Sequence, residues 1–212
     1  MITLIGISGS LRRQSFNTAL LRAAAGMMPE GAALEIADIS AIPLYNADIE
    51  SSEGIPPVVA QLKEKIAAAN GLLLSTPEYN NSLPGVLKNT IDWLSRPATD
   101  IPAVFGGRAV AVMGTSPGPF GTLLAQNAWL PVLRTLRTRP WFEGRLTVSR
   151  AGTVFNESGE LVDEKTRDQL QKFIEGFVRF VRWGHAVGSG HAVGSGLALM
   201  HLELPIDSID SG

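Results

Sequence analysis

An apolar segment at the start of the chain runs directly into a loop rich in glycine and serine. Ile2 to Ile7 is typical of a strand, and residues 6–17, GISGSLRRQSFN, lead into a segment rich in Ala and Leu. A backbone that turns at Gly6 and Gly9 can direct several N–H groups into one concavity, and a following helix adds the positive end of its dipole. The segment therefore predicts a strand, an anion-binding loop and a helix in succession.

The side chains of this loop suit a single phosphate held without a metal. Ser10 and Ser15 bring hydroxyl groups, and Arg12 brings a guanidinium that matches phosphate geometry. Asn17 is a suitable residue to cap the helix. The lysine of an ATP- or GTP-binding P-loop is absent, and no third glycine of a dinucleotide fingerprint follows Gly9, so neither of those sites is expected. A turn with a purely structural role is the alternative that remains open.

Composition limits the function further. The chain has 212 residues, a formal net charge of -2 and no cysteine. We expect one domain and a small-molecule ligand, since a nearly neutral chain has no basic field for nucleic acid. Without cysteine there is no disulfide, iron–sulfur cluster or thiol nucleophile, so redox work would need a bound cofactor. The first residues enter a strand at once, with no export or membrane-insertion segment, so we expect a cytoplasmic protein.

Segments of strand and helix character continue to alternate along the chain. Predicted strands lie at 34–39, 72–76, 108–115 and within 140–148, and predicted helices at 18–28, 56–70, 84–95, 123–138 and 163–181. Residues 42–48 and 96–107 are rich in turn-forming residues and predict loops. This order predicts an α/β fold of the flavodoxin-like type: a doubly wound, five-stranded parallel sheet with strand order 2-1-3-4-5 and helices on both faces.

Three polar loops follow predicted strands of this sheet. The second loop, residues 77–80, has the sequence PEYN, and the third runs from Ser116 to Gly121 with Gly118 between them. Ligands of open α/β sheets bind outside the carboxyl ends of the strands, where the strand order reverses. The first and third strands flank that reversal, so we expect the three loops to share one ligand.

The C-terminal residues differ in kind from the rest. The hexapeptide GHAVGS occurs at 184–189 and again at 190–195. Two copies are too few for a solenoid, and the composition favours flexibility. We predict a domain at 1–182 and treat 183–212 as a flexible appendage or cloning remnant, with no metal site at its histidines.

Three motifs in this sequence, GSLRxxSFN at 9–17, PEYN at 77–80 and LKNxxDW at 87–93, resemble those of the NADPH-dependent FMN reductase family, which includes bacterial quinone and chromate reductases. The resemblance extends from Met1 to about Arg182. It implies noncovalent FMN, with its phosphate in the first loop and its ring against the second. The residues so assigned to the cofactor, together with the third loop, are Ser10, Leu11, Arg12, Ser15, Phe16, Asn17, Pro77, Glu78, Tyr79, Asn80, Ser116, Gly118 and Gly121.

The resemblance also implies a reaction. Hydride would pass from NADPH or NADH to flavin N5, and two electrons would then pass to quinones and, broadly, to chromate, azo compounds or free flavin. No side chain is assigned as a general acid or base. Arg96 is a candidate for holding the nicotinamide nucleotide or stabilising reduced flavin, with a surface ion pair as the alternative. A homodimer or homotetramer is expected.

Two other functions remain open. A flavodoxin-like electron carrier would bind FMN without a nicotinamide site, although such carriers are usually strongly acidic and this chain is nearly neutral. A flavin-binding sensor would pass electrons to no quinone.

Overall fold

The centre of the protein is a single parallel β-sheet in a computed structural model that describes residues 1–188. The strands are β1 (Ile2–Ser8), β2 (Ala32–Ala37), β3 (Gly71–Ser75), β4 (Ala109–Thr115), β5 (Arg139–Pro140) and β6 (Leu146–Val148). Their order is β2-β1-β3-β4-β5, β6 also pairs with β4, and every pair is parallel. The predicted strand order and the doubly wound fold are confirmed.

The fifth position of the sheet differs from the prediction because two short strands occupy it. β5 pairs with the start of β4, and β6 pairs with the last three residues of β4. The Arg139 and Trp141 N–H groups donate to the Arg108 and Val110 carbonyls, both at 2.8 Å, so the pairing with β4 continues past Pro140. The chain then leaves the sheet at 142–145, where a Cβ on Gly144 would lie 2.3 Å from the Trp141 ring. The single strand predicted within 140–148 is therefore interrupted.

Helices cover both faces of the sheet. In the described part of the chain they are α1 (Phe16–Gly26), α2 (Ala47–Glu53), α3 (Pro57–Ala68), α4 (Gly85–Leu94), α5 (Ile101–Val104), α6 (Leu123–Thr135), α7 (Ala151–Val154) and α8 (Glu164–Gly188), with a 3-10 turn at Ala98–Asp100. Alternate strand residues point to opposite faces. Leu4 and Leu73 pack with α1 and α8, whereas Ile5 and Leu72 pack with α3, α4 and α6. Covered faces explain the unbroken apolar character of the central strands.

Two segments predicted as loops contain short helices. α2 begins inside 42–48, where the Asn46 side chain accepts a hydrogen bond from the Asp48 N–H at 2.8 Å and caps the helix. α5 lies inside 96–107, and Pro102 occupies its first turn, where the N–H that proline lacks is not needed. The residues that indicated loops are therefore helix-start residues.

The closing helix is longer than predicted. α8 extends to Gly188, the last described residue, which lies past the predicted domain boundary at Arg182. Its apolar stripe includes Phe173, Ile174 and Phe177, which are buried on the same side of the sheet as α1. The remainder of the predicted appendage, and with it the second hexapeptide copy, lies outside the described residues. Within residues 1–188, no helix is both long and apolar enough to cross a membrane.

Candidate functional site

The first loop joins β1 to α1 and is attached to the loop after β3. The Gly9 N–H donates to the Ser75 carbonyl at 2.8 Å. A Cβ on Gly9 would lie 2.8 Å from Cδ of Pro77 and 2.9 Å from Cγ of Pro84, closer than real Cβ contacts. Glycine at this position therefore allows the first and second loops to touch.

Ser15, and not Asn17, caps α1. Ser15 Oγ accepts the Thr18 N–H at 3.2 Å, so the prediction that Asn17 caps this helix is wrong. Asn17 is buried within the helix, and its Nδ2 donates to the Thr115 carbonyl at 2.9 Å. Its Oδ1 accepts from the Thr115 N–H and from Ser75 Oγ, both at 3.1 Å. Asn17 thus connects the start of α1 to the ends of β3 and β4.

The donors of the first loop surround the start of α1. The N–H groups of Phe16 and Asn17 have no acceptor within the helix, because the first turn of a helix never supplies one. Ser10 Oγ accepts the Arg12 N–H at 3.4 Å, and both residues lie in the loop before the helix. Arg12 is exposed, with its guanidinium 5.7 Å from the centre of the Phe16 ring. Amide groups, hydroxyls and an exposed guanidinium at a helix N-terminus fit the phosphate of FMN.

The second loop is a tight reversal that leaves one aromatic ring open to solvent. Tyr79 and Ser82 exchange backbone hydrogen bonds at 3.1 and 3.0 Å. Asn80 and Asn81 between them have φ of 51° and 60°, a left-handed conformation that asparagine tolerates. The Tyr79 residue is 49% exposed, so its ring is available for stacking on a planar group.

Glu78 contacts protein rather than open solvent. Its Oε2 accepts the N–H groups of Leu124 and Ala125 at 2.8 and 3.0 Å, which places a carboxylate at the positive end of α6. The side chain therefore connects the second loop to the helix that follows the third loop. A contact of Glu78 with the cofactor stays a prediction, and it would have to involve the backbone or the other carboxylate oxygen.

The third loop is held compact by hydrogen bonds at both ends. Ser116 Oγ donates to the Gly121 carbonyl at 2.8 Å, and the Arg150 N–H donates to the Gly118 carbonyl at 3.0 Å. Gly121 has a φ of 63°, and a Cβ there would lie 3.1 Å from the Thr147 backbone. This glycine is thus required by both conformation and space.

The structure brings the three predicted loops together at one edge of the sheet. Contacts that join them run through Ser75 and Thr115, at the carboxyl ends of β3 and β4, which the sequence reasoning missed. The sequence does indicate them, because each is a hydroxyl-bearing residue at the end of a buried apolar strand. Thr115 Oγ1 is buried and has no hydrogen-bond partner among the described residues, so a polar atom remains unsatisfied at this edge.

Arg96 lies away from these loops. Pro84 contacts Gly9 just before α4, and Arg96 follows the far end of that helix, about 15 Å away for ten residues at 1.5 Å each. Its Nε donates to both carboxylate oxygens of Glu50, at 2.9 and 3.1 Å. Hydrogen bonding to Glu50 raises the pKa of Arg96, and the same bonds lower the pKa of Glu50. The ion-pair interpretation describes Arg96 in this structure.

The third motif, LKNxxDW, anchors the loop before α2. Asn89 Oδ1 accepts the Tyr45 N–H and Nδ2 donates to the Pro43 carbonyl, both at 2.8 Å. The buried Trp93 donates its Nε1–H to the same carbonyl at 2.9 Å, and its ring meets the Tyr45 ring edge-on at 5.0 Å. Lys88 pairs with Asp92 one turn along α4.

In residues 1–188, no three acidic or histidine side chains are grouped as a metal site.

Comparisons with known proteins agree with this arrangement. The sequence model of a family described as NADPH-dependent FMN reductase matches residues 2–153. The chain is 44% identical over 181 residues to the NAD(P)H-dependent FMN reductase of Pseudomonas aeruginosa. That alignment covers 85% of this chain and 96% of the Pseudomonas protein. It is 39% identical over 176 residues to a 2-hydroxy-1,4-benzoquinone reductase from a Burkholderia species, covering 83% of this chain and 94% of that protein.

A solved structure gives the same result for the fold. FerB, a flavoenzyme NAD(P)H:(acceptor) oxidoreductase from Paracoccus denitrificans, is similar to this chain with a TM-score of 0.78 and 32% sequence identity. The alignment covers 87% of this chain and 99% of that chain. The family-model match at residues 2–153 includes all three loops of the site.

Proposed function

We propose, on the premise that this chain belongs to the NADPH-dependent FMN reductase family, that it is an FMN oxidoreductase whose acceptors are quinones. Membership makes it an oxidoreductase that uses FMN and a nicotinamide donor. The acceptor is the proposed part. The curated relatives named for quinones include the Burkholderia 2-hydroxy-1,4-benzoquinone reductase and a quinone reductase of Pseudomonas putida, which is 37% identical over 181 residues. Chromate, azo compounds and free flavin would be reduced less selectively.

The observation that carries the proposal is the convergence of three loops around a helix N-terminus. The phosphate of FMN would lie among Ser10, Arg12 and Ser15, with the N–H groups that start α1. Its ring would lie between the Tyr79 loop and the third loop. The buried contacts of Asn17 support this assignment. They hold the first loop, which would bind the phosphate, at a fixed distance from the second and third loops, which would bind the ring.

The residues of the chain supply binding and orientation. FMN, when bound, supplies the chemistry by accepting a hydride from a nicotinamide and passing two electrons onward. Arg12 neutralises phosphate charge, and Tyr79 gives a planar contact at the open edge. Backbone N–H groups of residues 77–80 can donate hydrogen bonds to ring oxygens and nitrogen. No side chain is proposed as a general acid or base, because positioning and electrostatics suffice for hydride transfer.

An absorption spectrum recorded under anaerobic conditions tests cofactor and donor together. We expect purified protein to be yellow, to bleach on addition of NADPH or NADH, and to regain its colour when a benzoquinone is added. Bleaching by dithionite alone would favour the electron carrier. Bleaching by a nicotinamide donor without reoxidation by quinone would favour the sensor. Colourless protein that FMN does not reconstitute would contradict all three.

An assembly of two or four copies is part of this proposal, as is a cytoplasmic location. Two apolar side chains are exposed in and just after the third loop: Phe120 is 79% exposed and Leu124, in α6, is 45% exposed. Burial against a second copy would remove this surface from water. Light scattering after size exclusion should give the mass of a dimer or tetramer, and Phe120→Ser should lower it. A monomer mass for the unmodified chain would contradict this part.

A further inference from the structure

A cavity of about 250 Å³ lies beside the first loop, on the side of α1 that faces the turn at residues 155–160. We call it the Arg22 cavity. The side chains that give it its character are Arg12, Arg13, Arg22, Phe16, Phe155 and Glu157. The FMN assignment uses only its edge, at Arg12, Ser15 and Phe16.

The side chains that line this cavity carry a net positive charge. Arg12, Arg13 and Arg22 face it against a single carboxylate, that of Glu157. In the described part of the chain, none of the three arginines belongs to an ion pair. Three arginines that face a single carboxylate leave a net positive charge that favours an anion, and a phosphate matches their planar donor pattern.

The floor of the cavity is aromatic. The rings of Phe16 and Phe155 stack with centroids 5.8 Å apart and planes at 25°, and Phe155 is buried. Ala19 and Gly152 complete an apolar surface beneath the charged rim. A flat ring that carries a phosphate would satisfy both parts, since the ring would pack on the floor and the phosphate would meet the arginines.

The position of the cavity decides between possible ligands of this kind. It shares Arg12, Ser15 and Phe16 with the first loop, so a molecule within it is adjacent to the phosphate end of FMN. A dinucleotide that places its nicotinamide over the flavin is longer than FMN, because it carries a second nucleotide. A second nucleotide that continues past the phosphate end of FMN would enter the Arg22 cavity.

We propose that the Arg22 cavity receives the 2′-phosphoadenosine end of NADPH, with Arg13 and Arg22 pairing with the 2′-phosphate and Phe16 beneath the adenine. The inference rests on the proposed function. NADH differs from NADPH only in lacking that phosphate, so Arg22 is a residue that determines donor specificity. Arg12 then contributes to both sites, with FMN phosphate on one side and dinucleotide on the other.

Steady-state kinetics of the FMN-loaded protein with each donor provide the test. Arg22→Ala should raise the KM for NADPH at least about tenfold, which corresponds to about 1.4 kcal/mol, because a hydrogen bond to a charged group is lost. The KM for NADH should change less than twofold. Arg22 is exposed on α1, where alanine is a good helix former, so the fold should be retained. Arg134→Ala, an exposed arginine near the end of α6, is the matched control and should change neither value.

Direct binding separates the phosphate from the rest of the donor. With the FMN-loaded protein, 2′,5′-ADP should compete with NADPH more strongly than 5′-AMP, and Arg22→Ala should abolish the difference. The KM for NADPH should also rise with ionic strength more steeply than the KM for NADH, because salt screens the added charge.

The outcomes distinguish this inference from the proposed function. Equal competition by 2′,5′-ADP and 5′-AMP would overturn the inference and leave the enzyme intact. Equal effects of Arg22→Ala on both donors, or an effect on the KM for quinone alone, would do the same. If neither donor reduces the flavin, the proposed function itself fails.

Discussion

Asn17 and Arg96 were both predicted to bind ligands, and the structure shows both bonded to protein, but in very different surroundings. Asn17 is buried where β3 and β4 end, and it bonds both backbone groups of Thr115. Arg96 is partly exposed beyond α4 and pairs with Glu50. A buried amide that satisfies backbone groups has no water to replace it, whereas water and salt screen an exposed ion pair. The two contacts should therefore differ in their contribution to stability because Asn17 is buried and Arg96 is not, and not because one residue is an amide and the other a cation.

The difference explains how the two regions can serve function. At the site edge, buried hydrogen bonds hold the three loops relative to one another, which reduces the ordering cost of cofactor binding. At the far end of α4, the contacts secure the loop before α2 and contribute to local order. Substitutions in the two regions should therefore differ in size and in readout.

The largest effect is expected for Asn17→Ala. The variant leaves the N–H and carbonyl of Thr115 without a partner in a buried position, which should lower the free energy of unfolding by about 2–4 kcal/mol. Urea unfolding of FMN-free protein measures this without the contribution of bound cofactor. Asn127→Ala, at an exposed asparagine of α6, is the control and should have little effect. Equal stabilities for the two variants would contradict the role given to the buried Asn17 hydrogen bonds.

The next effect is expected for Arg12→Ala, and it should appear in binding rather than in stability. Loss of a charge-assisted contact with phosphate should weaken FMN affinity by about 1.5–3 kcal/mol, while FMN-free protein unfolds as before. Fluorescence titration of FMN-free protein with FMN and with riboflavin measures it. Riboflavin has no phosphate, so its affinity should be unchanged. A parallel loss for riboflavin would contradict the phosphate assignment.

A smaller effect is expected for Glu78→Ala. Removing the carboxylate that accepts the N–H groups of Leu124 and Ala125 should lower the free energy of unfolding by about 1 kcal/mol. Glu78→Gln keeps an acceptor and loses the charge, so it should fall between the alanine variant and the unmodified chain. Glu143→Ala, at an exposed glutamate, controls for loss of charge alone. If glutamine behaves like alanine, the charge and not the acceptor matters.

The smallest effect is expected for Arg96→Ala. Hydrogen bonding to Arg96 lowers the pKa of Glu50 below its ordinary 4.5. The pair therefore stabilises the fold above that pH, and the contribution is lost as pH falls through the lower, folded value. The difference in Tm between variant and parent should be small near neutrality and should vanish in acid and at high salt. A difference that persists in acid would show that Arg96 acts by packing instead.

Strand order could be predicted from the sequence because each central strand is an apolar run bounded by turn residues. That pattern follows directly from covering both faces of a parallel sheet. The short helices α2 and α5 could not be predicted in the same way, because Asn46 and Pro102 occur equally in loops and at helix starts. The split of the last strand was missed because it depends on the fit of Trp141 against Gly144.

The candidate site could be located from sequence, since polar loops at strand ends meet at one edge of such a sheet. The roles of individual side chains could not. Asn17 bonds a residue 98 positions away, and Glu78 bonds one 46 positions away. No local pattern encodes a partner at that distance, so the protein contacts of Asn17 and Glu78 could be found only in the structure, and their contacts with the cofactor stay predictions.

The division of the final strand into β5 and β6 affects how easily another polypeptide could pair with this edge of the sheet. These strands have two and three residues, so this margin of the sheet presents no long row of free amide and carbonyl groups. A strand of another molecule could form only a few backbone hydrogen bonds with β5 or β6, which is too few for stable pairing. The interruption between Trp141 and β6 thus leaves this margin of the sheet without a continuous edge on which a strand of another molecule could pair.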